Sequence, residues 1–395
     1  MKASLLIKRI ELRSALSRLM PAISSNILPV LGHIQMHLDV DANLIHLSST
    51  DLEIRIGTTL PAQIQVDDGE SKSCLIPGQT FSDLLSMMES DEVRLEVDEA
   101  HLLLRTGSTK THLSLFPEDS FPPEFTLASN ASLFSLSTQS LKEALQRVIS
   151  AASSDYSRPA LNSILFSLTG KELYLVAADG FRLATDKVQV ESAVPAEKNY
   201  LLPMKMVQKL LRILPDEDSV LAIQADERRI LFCWGENRFW ASLLEAQFPD
   251  WRQVVYMADG HSLPGNPHPF PREDLQMAVK RAEIFARDGN VPHLIHFKPS
   301  DKGMRIFGEG IQTGKSEEEI ECPIQISFAL NGLYVLQALS GMERERPTLY
   351  LSGSDKPIIF TEDDFIYVIM PLYMPKEEEV PVAEVVEVEV EAVPA

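Results

Sequence analysis

The apolar residues of this chain fall into helical spacing at three places that follow one another at similar intervals. Each predicted helix carries apolar side chains at positions i, i+3 and i+4, which puts them on one face. The three sets are Leu12, Ala15 and Leu16, then Leu141, Ala144 and Leu145, then Leu275, Ala278 and Val279. The pattern therefore predicts three copies of one layout, each about 125 residues long and opened by an amphipathic helix.

A second helix is predicted inside each copy, after a short and mostly apolar step. The steps are Leu75-Ile76-Pro77, Leu201-Leu202-Pro203 and Ser327-Phe328-Ala329. Between the helices, apolar and polar residues alternate, as at positions 34–38 and 93–97, and such alternation predicts strands. Because strands outnumber helices, we expect an α+β fold in which two helices back antiparallel sheets in every copy.

Proline-rich segments at 116–123 and 260–271 are typical of linkers and set the predicted domain boundaries. We expect a first domain at 1–128, a central domain at 129–256 and a third domain at 257–375. Residues 376–395 contain seven Glu and no aromatic residue, so we expect an acidic disordered tail. A chain that repeats a whole domain more naturally builds a curved or closed surface than one unsymmetrical catalytic site.

The net charge of −21 argues at first against a nucleic-acid partner. The charge is unevenly distributed, however, because the six predicted helices together carry +4. Helix 203–214 is the clearest case, with Lys205, Lys209 and Arg212 and no acidic residue. A sparse basic helix surface suits sequence-independent contact with phosphates, although the same residues are also what a solvated helix face contains. The three cysteines form no CxxC pair, and no long apolar run occurs, so we expect a reduced, cytoplasmic protein.

No motif in the chain predicts catalysis. Residues 308–316 resemble a phosphate-binding loop, but the glycine required five positions before Gly314 is Glu309, and a strand pattern follows instead of a helix. His33 with His37, and His293 with His296, lie in strand-like stretches without a nearby metal-ligand partner. We therefore expect a hairpin turn at 308–316, no metal, no cofactor and no enzymatic activity.

Several short motifs give the chain a family resemblance. Residues 177–184 read Ala-Ala-Asp-Gly-Phe-Arg-Leu-Ala, residues 248–252 Phe-Pro-Asp-Trp-Arg and residues 367–372 Tyr-Val-Ile-Met-Pro-Leu. The first copy contains Leu-Pro-Val-Leu-Gly at 28–32 and Thr-Asp-Leu-Glu at 50–53. In this order on a threefold repeat, they resemble the beta sliding clamp of bacterial replicative DNA polymerase III. The resemblance covers essentially residues 1–375.

The resemblance implies a non-catalytic processivity subunit. Two chains would join head to tail into a ring of six domains, with helices lining the hole and sheets outside. The ring would encircle duplex DNA without sequence preference and tether the replicative polymerase subunit, a clamp loader and other clamp-motif proteins. The alternative is a three-domain scaffold that binds peptide motifs and never encircles DNA; helix charge favours the ring.

The resemblance also implies three sets of site residues. The partner-peptide pocket would consist of Leu161, Gly180, Arg182, Leu183, Pro249, Val254, Val368, Met370, Pro371 and Leu372, with Arg182 as a polar rim. The DNA-facing cations would be Arg13, Lys142, Arg147, Lys205, Lys209, Arg212 and Lys280. The dimer seam would bring Leu113 near Ile284 and Phe285, with Lys110 and Arg281 as ion-pair members.

Overall fold

The protein is described here by a computed structural model that covers residues 3–24, 28–67, 71–106 and 109–372. The acidic tail expected at 376–395 lies outside the described residues. Each of the three copies contributes an opening helix and a second, shorter helix to the fold. Within the described residues the helices are α1 Arg9–Leu19, α2 Gly78–Ser86, α3 Thr138–Val148, α4 Met204–Ile213, α5 Arg252–Val255, α6 Arg272–Ala286 and α7 Gly332–Ser340.

Helix α3 illustrates why these segments are helical. Its buried residues Leu141, Ala144, Leu145 and Val148 follow the helical period, so one face packs against the core. Its first turn is capped by Ser137, whose hydroxyl accepts a hydrogen bond of 3.1 Å from the backbone N–H of Ser140. Helix α4, predicted at 203–214, agrees with its predicted bounds to within one residue at each end.

The strands alternate buried and partly exposed positions, as the sequence pattern indicates. In the first copy they are β1 Ala3–Lys8, β2 His33–Asp39, β3 Leu44–Thr50, β4 Ile54–Pro61, β5 Gln63–Val66, β6 Lys72–Pro77, β7 Glu92–Val97, β8 His101–Thr106 and β9 Thr109–Ser114. In the second copy they are β10 Ser132–Ser137, β11 Ser163–Ala178, β12 Arg182–Pro203, β13 Val220–Ala225, β14 Arg229–Trp234 and β15 Asn237–Ser242. In the third copy they are β16 Asn266–Pro269, β17 Leu294–Ser300, β18 Gly303–Gly310, β19 Gly314–Ile320, β20 Phe328–Asn331, β21 Thr348–Leu351, β22 Ile358–Glu362 and β23 Phe365–Ile369.

Two of the four antiparallel sheets run across from one copy to the next. An eight-stranded sheet joins the first two copies through β4 and β15, with Arg55 opposite Trp240. A six-stranded sheet joins the second and third copies through β12 and β23, with Leu183 opposite Val368. The remaining sheets stand at the two ends of the molecule, one ending in β9 and the other in β19.

The sheets separate two apolar layers. The main core lies between the sheets and the helix pairs α1–α2, α3–α4 and α6–α7. Smaller clusters occupy the opposite sheet face, where Leu183 packs with Phe248 and Trp251 while its neighbour Ala184 faces the main core. This alternation follows from the two-residue period of a strand, and it places the concave sites described below on the sheet face away from the helices.

The segment 260–271 differs from the expected linker because it contains β16. This strand pairs only with β21, at the edge of its sheet. Pro267 and Pro269 are tolerated there because an edge strand needs ladder hydrogen bonds on one side only. The exact domain boundaries at 128 and 256 stay a prediction. In the described part of the chain, none of the helices has the length and apolar character needed to cross a membrane.

Candidate functional site

The turn between β11 and β12 positions the first part of the site. One carboxylate oxygen of Asp179 accepts hydrogen bonds from the backbone N–H groups of Phe181 (2.8 Å) and Arg182 (3.0 Å). Gly180 adopts φ = +97°, a conformation that side chains disfavour. The turn therefore holds Phe181 out into solvent, and its carbonyl accepts a hydrogen bond of 2.8 Å from the N–H of Met370.

Residues from the second and third copies meet beside this turn in a cavity of about 250 Å³ with a mainly apolar lining. The lining contains eight of the ten residues predicted for the pocket, namely Leu161, Gly180, Arg182, Leu183, Pro249, Val254, Val368 and Met370. It also contains five residues that the sequence analysis did not select: Ala178, Phe181, Phe248, Asp250 and Trp251. All five belong to the two motifs at 177–184 and 248–252, so the signal for them was already in the sequence.

Pro371 and Leu372, which were also predicted for the pocket, are not among the residues that line this cavity. The chain leaves the sheet after Met370, and the N–H of Leu372 donates a hydrogen bond of 2.8 Å to the carbonyl of Ala329 in β20. This bond ties the segment after β23 to β20 within the third copy.

Arg182, predicted as a polar rim, lines the cavity, but its side chain is only 10% exposed. Its guanidinium forms an ion pair of 2.9 Å with Asp179 and donates to the hydroxyl of Tyr367 at 3.1 Å. It also donates to the side chain of Gln337 and lies 4.0 Å from the ring centroid of Tyr334, both on α7. Arg182 therefore fastens the second copy to helix α7 of the third copy.

The cavity can accept apolar side chains of a partner. Leu183, Val368 and Trp251 supply a rigid apolar floor because they are buried in one cluster. Met370 and Val254 are exposed at the opening, and a flexible methionine there suits partners of varied shape. Geometry of this kind provides binding rather than chemistry, since the apolar residues include no nucleophile or general base.

Helix α4 carries the three predicted cations in different environments. Lys205 is 60% exposed and lies 3.7 Å from Glu53. Lys209 is 17% exposed, and its ammonium lies 2.5 Å from the buried carboxylate of Asp51 in the first copy. Arg212 is exposed near the end of the helix. Only Lys205 and Arg212 therefore present their charge mainly to solvent.

The other predicted cations divide in the same way. Arg13 on α1 and Lys280 on α6 are exposed. Lys142 donates to Asp216 at 2.6 Å and also to two backbone carbonyl groups. Arg147 lies 3.3 Å from the carboxylate of Asp186, whose pKa is raised by burial. The charges of Lys142 and Arg147 are thus partly satisfied inside the chain.

The predicted seam residues lie at the two ends of the molecule. Leu113 on β9 is 6% exposed and packs in the core of its own copy, so it offers little surface to a partner. Ile284 on α6 is 59% exposed, whereas Phe285 is partly buried. Lys110 is exposed on β9. Arg281 already binds both carboxylate oxygens of Glu318, at 2.7 and 2.6 Å.

The motifs that resemble chemical sites have structural roles. Residues 308–316 form the β18–β19 hairpin, in which Gly310 pairs with Gly314, and no helix follows to hold a phosphate. In the described ranges, no group of three or more His, Cys, Asp or Glu residues is placed to hold a metal ion. This part of the protein therefore offers an apolar pocket and exposed cations as its candidate functional features.

Comparison with known proteins agrees with this architecture. Residues 3–126 match the family model of the DNA polymerase III beta subunit, N-terminal domain, and residues 135–250 match that of its central domain. The chain belongs to the family of bacterial DNA polymerase III beta subunits. It is 27% identical over 361 residues to the beta sliding clamp of Staphylococcus epidermidis, which covers 87% of this chain and 92% of the relative. It is 26% identical to the beta sliding clamp of Staphylococcus aureus over the same shares.

Solved structures of sliding clamps have the same fold. The DNA polymerase sliding clamp of Bacillus subtilis superposes with a TM-score of 0.86 at 19% identity, over 95% of this chain and 100% of that one. The sliding clamp of Pseudomonas aeruginosa bound to griselimycin gives the same TM-score at 23% identity, with the same coverage. The predicted fold class and the family resemblance are therefore confirmed. Members of this beta subunit family are processivity factors and not enzymes.

Proposed function

We propose that this chain is a DNA sliding clamp that encircles duplex DNA, tethers the replicative polymerase and catalyses no reaction. The observation that carries the proposal is the continuity of the sheets from copy to copy, with all the helix pairs on one sheet face. Head-to-tail pairing of two such chains gives six copies with their helices on the inside of a ring. Such a protein acts on the bacterial chromosome and belongs in the cytoplasm.

The two junctions inside the chain suggest how the ring closes. β9, β15 and β23 begin at Thr109, Asn237 and Phe365, which are spaced by 128 residues. β15 and β23 each pair with a strand of the preceding copy, whereas β9 stands at the end of its sheet. β19 stands at the end of the opposite sheet. We therefore infer that β9 of one chain pairs with β19 of its partner.

The inner junctions also fix the register of this pairing. Gly57 lies opposite Arg238 at the first junction, and Thr185 lies opposite Ile366 at the second. The counterpart of Arg238 and Ile366 on β9 is Lys110, by the spacing of 128 residues. On β19 the counterpart is found from the hairpins, because Gly57 and Thr185 pair with residues nine positions earlier and Glu317 pairs with Phe307, ten positions earlier. Phe307 lies outside the main core, so Glu317 also faces away from the helices. In this register, Glu317 lies opposite the partner's Lys110, so a negative charge faces a positive charge across the seam.

DNA contact is assigned to the exposed cations on the helices, namely Arg13, Lys205, Arg212 and Lys280. The other three predicted cations have acidic partners within the chain, so they would attract DNA phosphates more weakly; they are Lys142, Arg147 and Lys209. Few cations on an otherwise acidic protein give contacts to phosphates that carry no sequence information, so the ring can slide.

The apolar cavity beside Phe181 is the proposed docking site for segments of partner proteins. These partners would include the replicative polymerase subunit, an ATP-dependent clamp loader and other clamp-motif proteins. The Pseudomonas aeruginosa clamp binds griselimycin, and we infer that this chain also binds griselimycin, in the cavity beside Phe181.

The ring is tested by the mass and topology of the protein. Light scattering should give twice 44.1 kDa, and negative-stain images of the same peak should show a central hole. After loading by a clamp loader with ATP, the protein should remain on nicked circular DNA and leave when the circle is cut once. A monomer without a hole, or equal retention before and after the cut, would favour a scaffold that does not encircle DNA.

The pocket is tested by Met370→Ala. Met370 is exposed at the cavity opening and contributes apolar surface, so griselimycin affinity should fall about tenfold, for a loss of roughly 1.4 kcal/mol. Met257→Ala is the matched control, because Met257 is also exposed but does not line the cavity. Calorimetric titration measures both variants, and equal affinity in both would contradict the assignment.

A further inference from the structure

The two copy-to-copy junctions inside this chain are built alike. Asp51 accepts hydrogen bonds from the N–H groups of Glu53 (3.0 Å) and Ile54 (2.8 Å), as Asp179 does in the turn beside the cavity. Leu52 has φ = +78° at the position of Gly180. The first junction therefore has the same kind of turn as the one that borders the open cavity at the second junction.

The residues at the centre of the two junctions differ in chemistry. At the second junction, Leu183 lies opposite Val368, and both line the apolar cavity. At the first junction, the same positions contain Arg55 and Trp240. Both exchanges put a larger side chain where the cavity would be.

Arg55 is held firmly at this position and is only 4% exposed. Its guanidinium donates to the carbonyl groups of Pro122 (3.0 Å) and Pro123 (3.1 Å). It also donates to the side chains of Gln35 (2.9 Å) and Ser48 (3.1 Å). Burial of a charge is unfavourable unless hydrogen-bond partners surround it, and these four acceptors satisfy that condition.

Aromatic side chains also pack around Arg55 and Trp240 at the first junction. The guanidinium of Arg55 lies 5.1 Å from the ring centroid of Phe121, and Trp240 contacts Phe125 edge to face at 6.3 Å. Phe121 precedes Pro122 just as Phe248 precedes Pro249 at the open cavity. The linker after the first copy thus packs onto Arg55 and Trp240, whereas the corresponding linker after the second copy leaves a space.

The space that remains at the first junction is lined by polar and apolar side chains in about equal measure. A groove of about 710 Å³ runs past Arg55 and Trp240 and is lined by His37, His46 and Glu118, among others. An apolar side chain that took the place of Arg55 would have to break its hydrogen bonds and would leave its charge buried and unpaired, which is strongly unfavourable.

We propose that Arg55 and Trp240 occupy the place of the apolar cavity at the first junction, and that this pair is what limits each chain to a single site for apolar peptide segments. The inference rests on the proposed function, because it takes the cavity at the second junction as the site that binds. The first junction therefore contributes rigidity between copies, and the second contributes binding.

The experiment restores the apolar pair at the first junction in the full-length protein with Arg55→Leu and Trp240→Val. Griselimycin is the probe, and calorimetric titration gives the number of molecules bound per chain. The wild type should bind one molecule and the double variant two. Trp240→Val alone is the matched control; it keeps Arg55 and should still bind one. A folded double variant that binds one molecule, with an unchanged melting profile, would overturn the inference.

The reciprocal variant provides a second test if the double variant does not fold. Leu183→Arg with Val368→Trp reproduces the closed pair at the second junction and should reduce binding from one molecule per chain to none. Leu133→Arg with Val220→Trp is the matched control, because both residues are exposed and lie outside the cavity, and it should retain one. Binding of one molecule by the folded reciprocal variant would contradict the inference. No binding by the wild type would reject the proposed pocket itself, and this inference with it.

Discussion

At the scale of single residues, Arg182 shows how one side chain can connect two copies. It extends from β12 of the second copy to Tyr367 and to helix α7 of the third copy. The chain pairs this cation with Asp179, so the same carboxylate that shapes the turn also neutralises the buried charge. Loss of either partner leaves the other charge uncompensated in a place with little water.

Arg182→Ala should therefore lower the free energy of unfolding at the second junction by about 3 kcal/mol. Arg158→Ala is the matched control, since Arg158 forms an exposed ion pair with Asp155 and should cost less than about 1 kcal/mol. Scanning calorimetry measures both changes. Similar melting temperatures for the two variants would show that Arg182 does not fasten the copies.

The cysteine residues allow a second residue-scale prediction. Burial raises the pKa of the Cys74 thiol to about 12 and that of Cys322 to about 11. Cys233 is less buried, although burial also raises its pKa. Because the thiolate is the reactive form, only Cys233 should react measurably with a disulfide reagent at pH 8. All three should react in urea; rapid reaction of two or more thiols in the native protein would contradict this.

At the scale of elements, helix α4 combines two kinds of lysine on one short segment. Lys209 reaches across the first junction to Asp51, 158 positions away in sequence, and serves the packing of two copies. Lys205, one turn earlier, remains exposed. The basic character of a helix in the sequence therefore overstates the charge that the helix presents to a polyanion.

Lys205→Glu with Arg212→Glu should weaken DNA retention about tenfold and reduce the salt dependence of binding, because two cations facing phosphates are reversed. Lys171→Glu with Arg228→Glu is the matched control, with the same charge change at exposed positions of the sheets and their loops. Retention on nicked circular DNA at several salt concentrations measures the effect. Equal losses in both variants would argue against a specific basic helix surface.

Lys209→Glu is expected to behave differently from these variants. It would place a second carboxylate beside the buried Asp51 and destabilise the first junction, so a loss of DNA binding by this variant would not report on phosphate contact.

At the scale of the whole molecule, the two junctions inside the chain predict a third junction between two chains. Two junctions inside the chain share one register, and the free edges β9 and β19 are left for a third. Exposed edge strands invite pairing with another chain. The charges on these edges, Lys110 on one and Glu317 with its acidic neighbours on the other, favour a partner in the head-to-tail arrangement.

Lys110→Glu should weaken the dimer about tenfold at low salt, because it opposes two carboxylates across the seam. Adding Glu317→Lys should recover part of the affinity, although Glu317 also contacts Arg305 and Lys315 in its own chain. Sedimentation analysis measures the dimer. An unchanged dimer affinity for Lys110→Glu at low salt would rule out the inferred register.

The sequence by itself determined the threefold layout, the helix and strand periods and most of the pocket. These features depend on local spacing, as in Leu141, Ala144 and Leu145, or on short motifs such as the turn at Asp179, whose hydrogen bonds join residues two and three positions apart. Patterns of this kind depend on neighbouring residues and not on which distant segments meet in the fold.

The tertiary structure alone decided which predicted residues are available to a partner. Arg182 and Lys209 are drawn into contacts with distant parts of the chain, Leu113 is buried in its own copy, and Leu372 is bound to β20. Their side chains look free in the sequence because their partners lie far away along the chain. Burial and ion pairing depend on those long-range contacts, and only the folded chain brings them together.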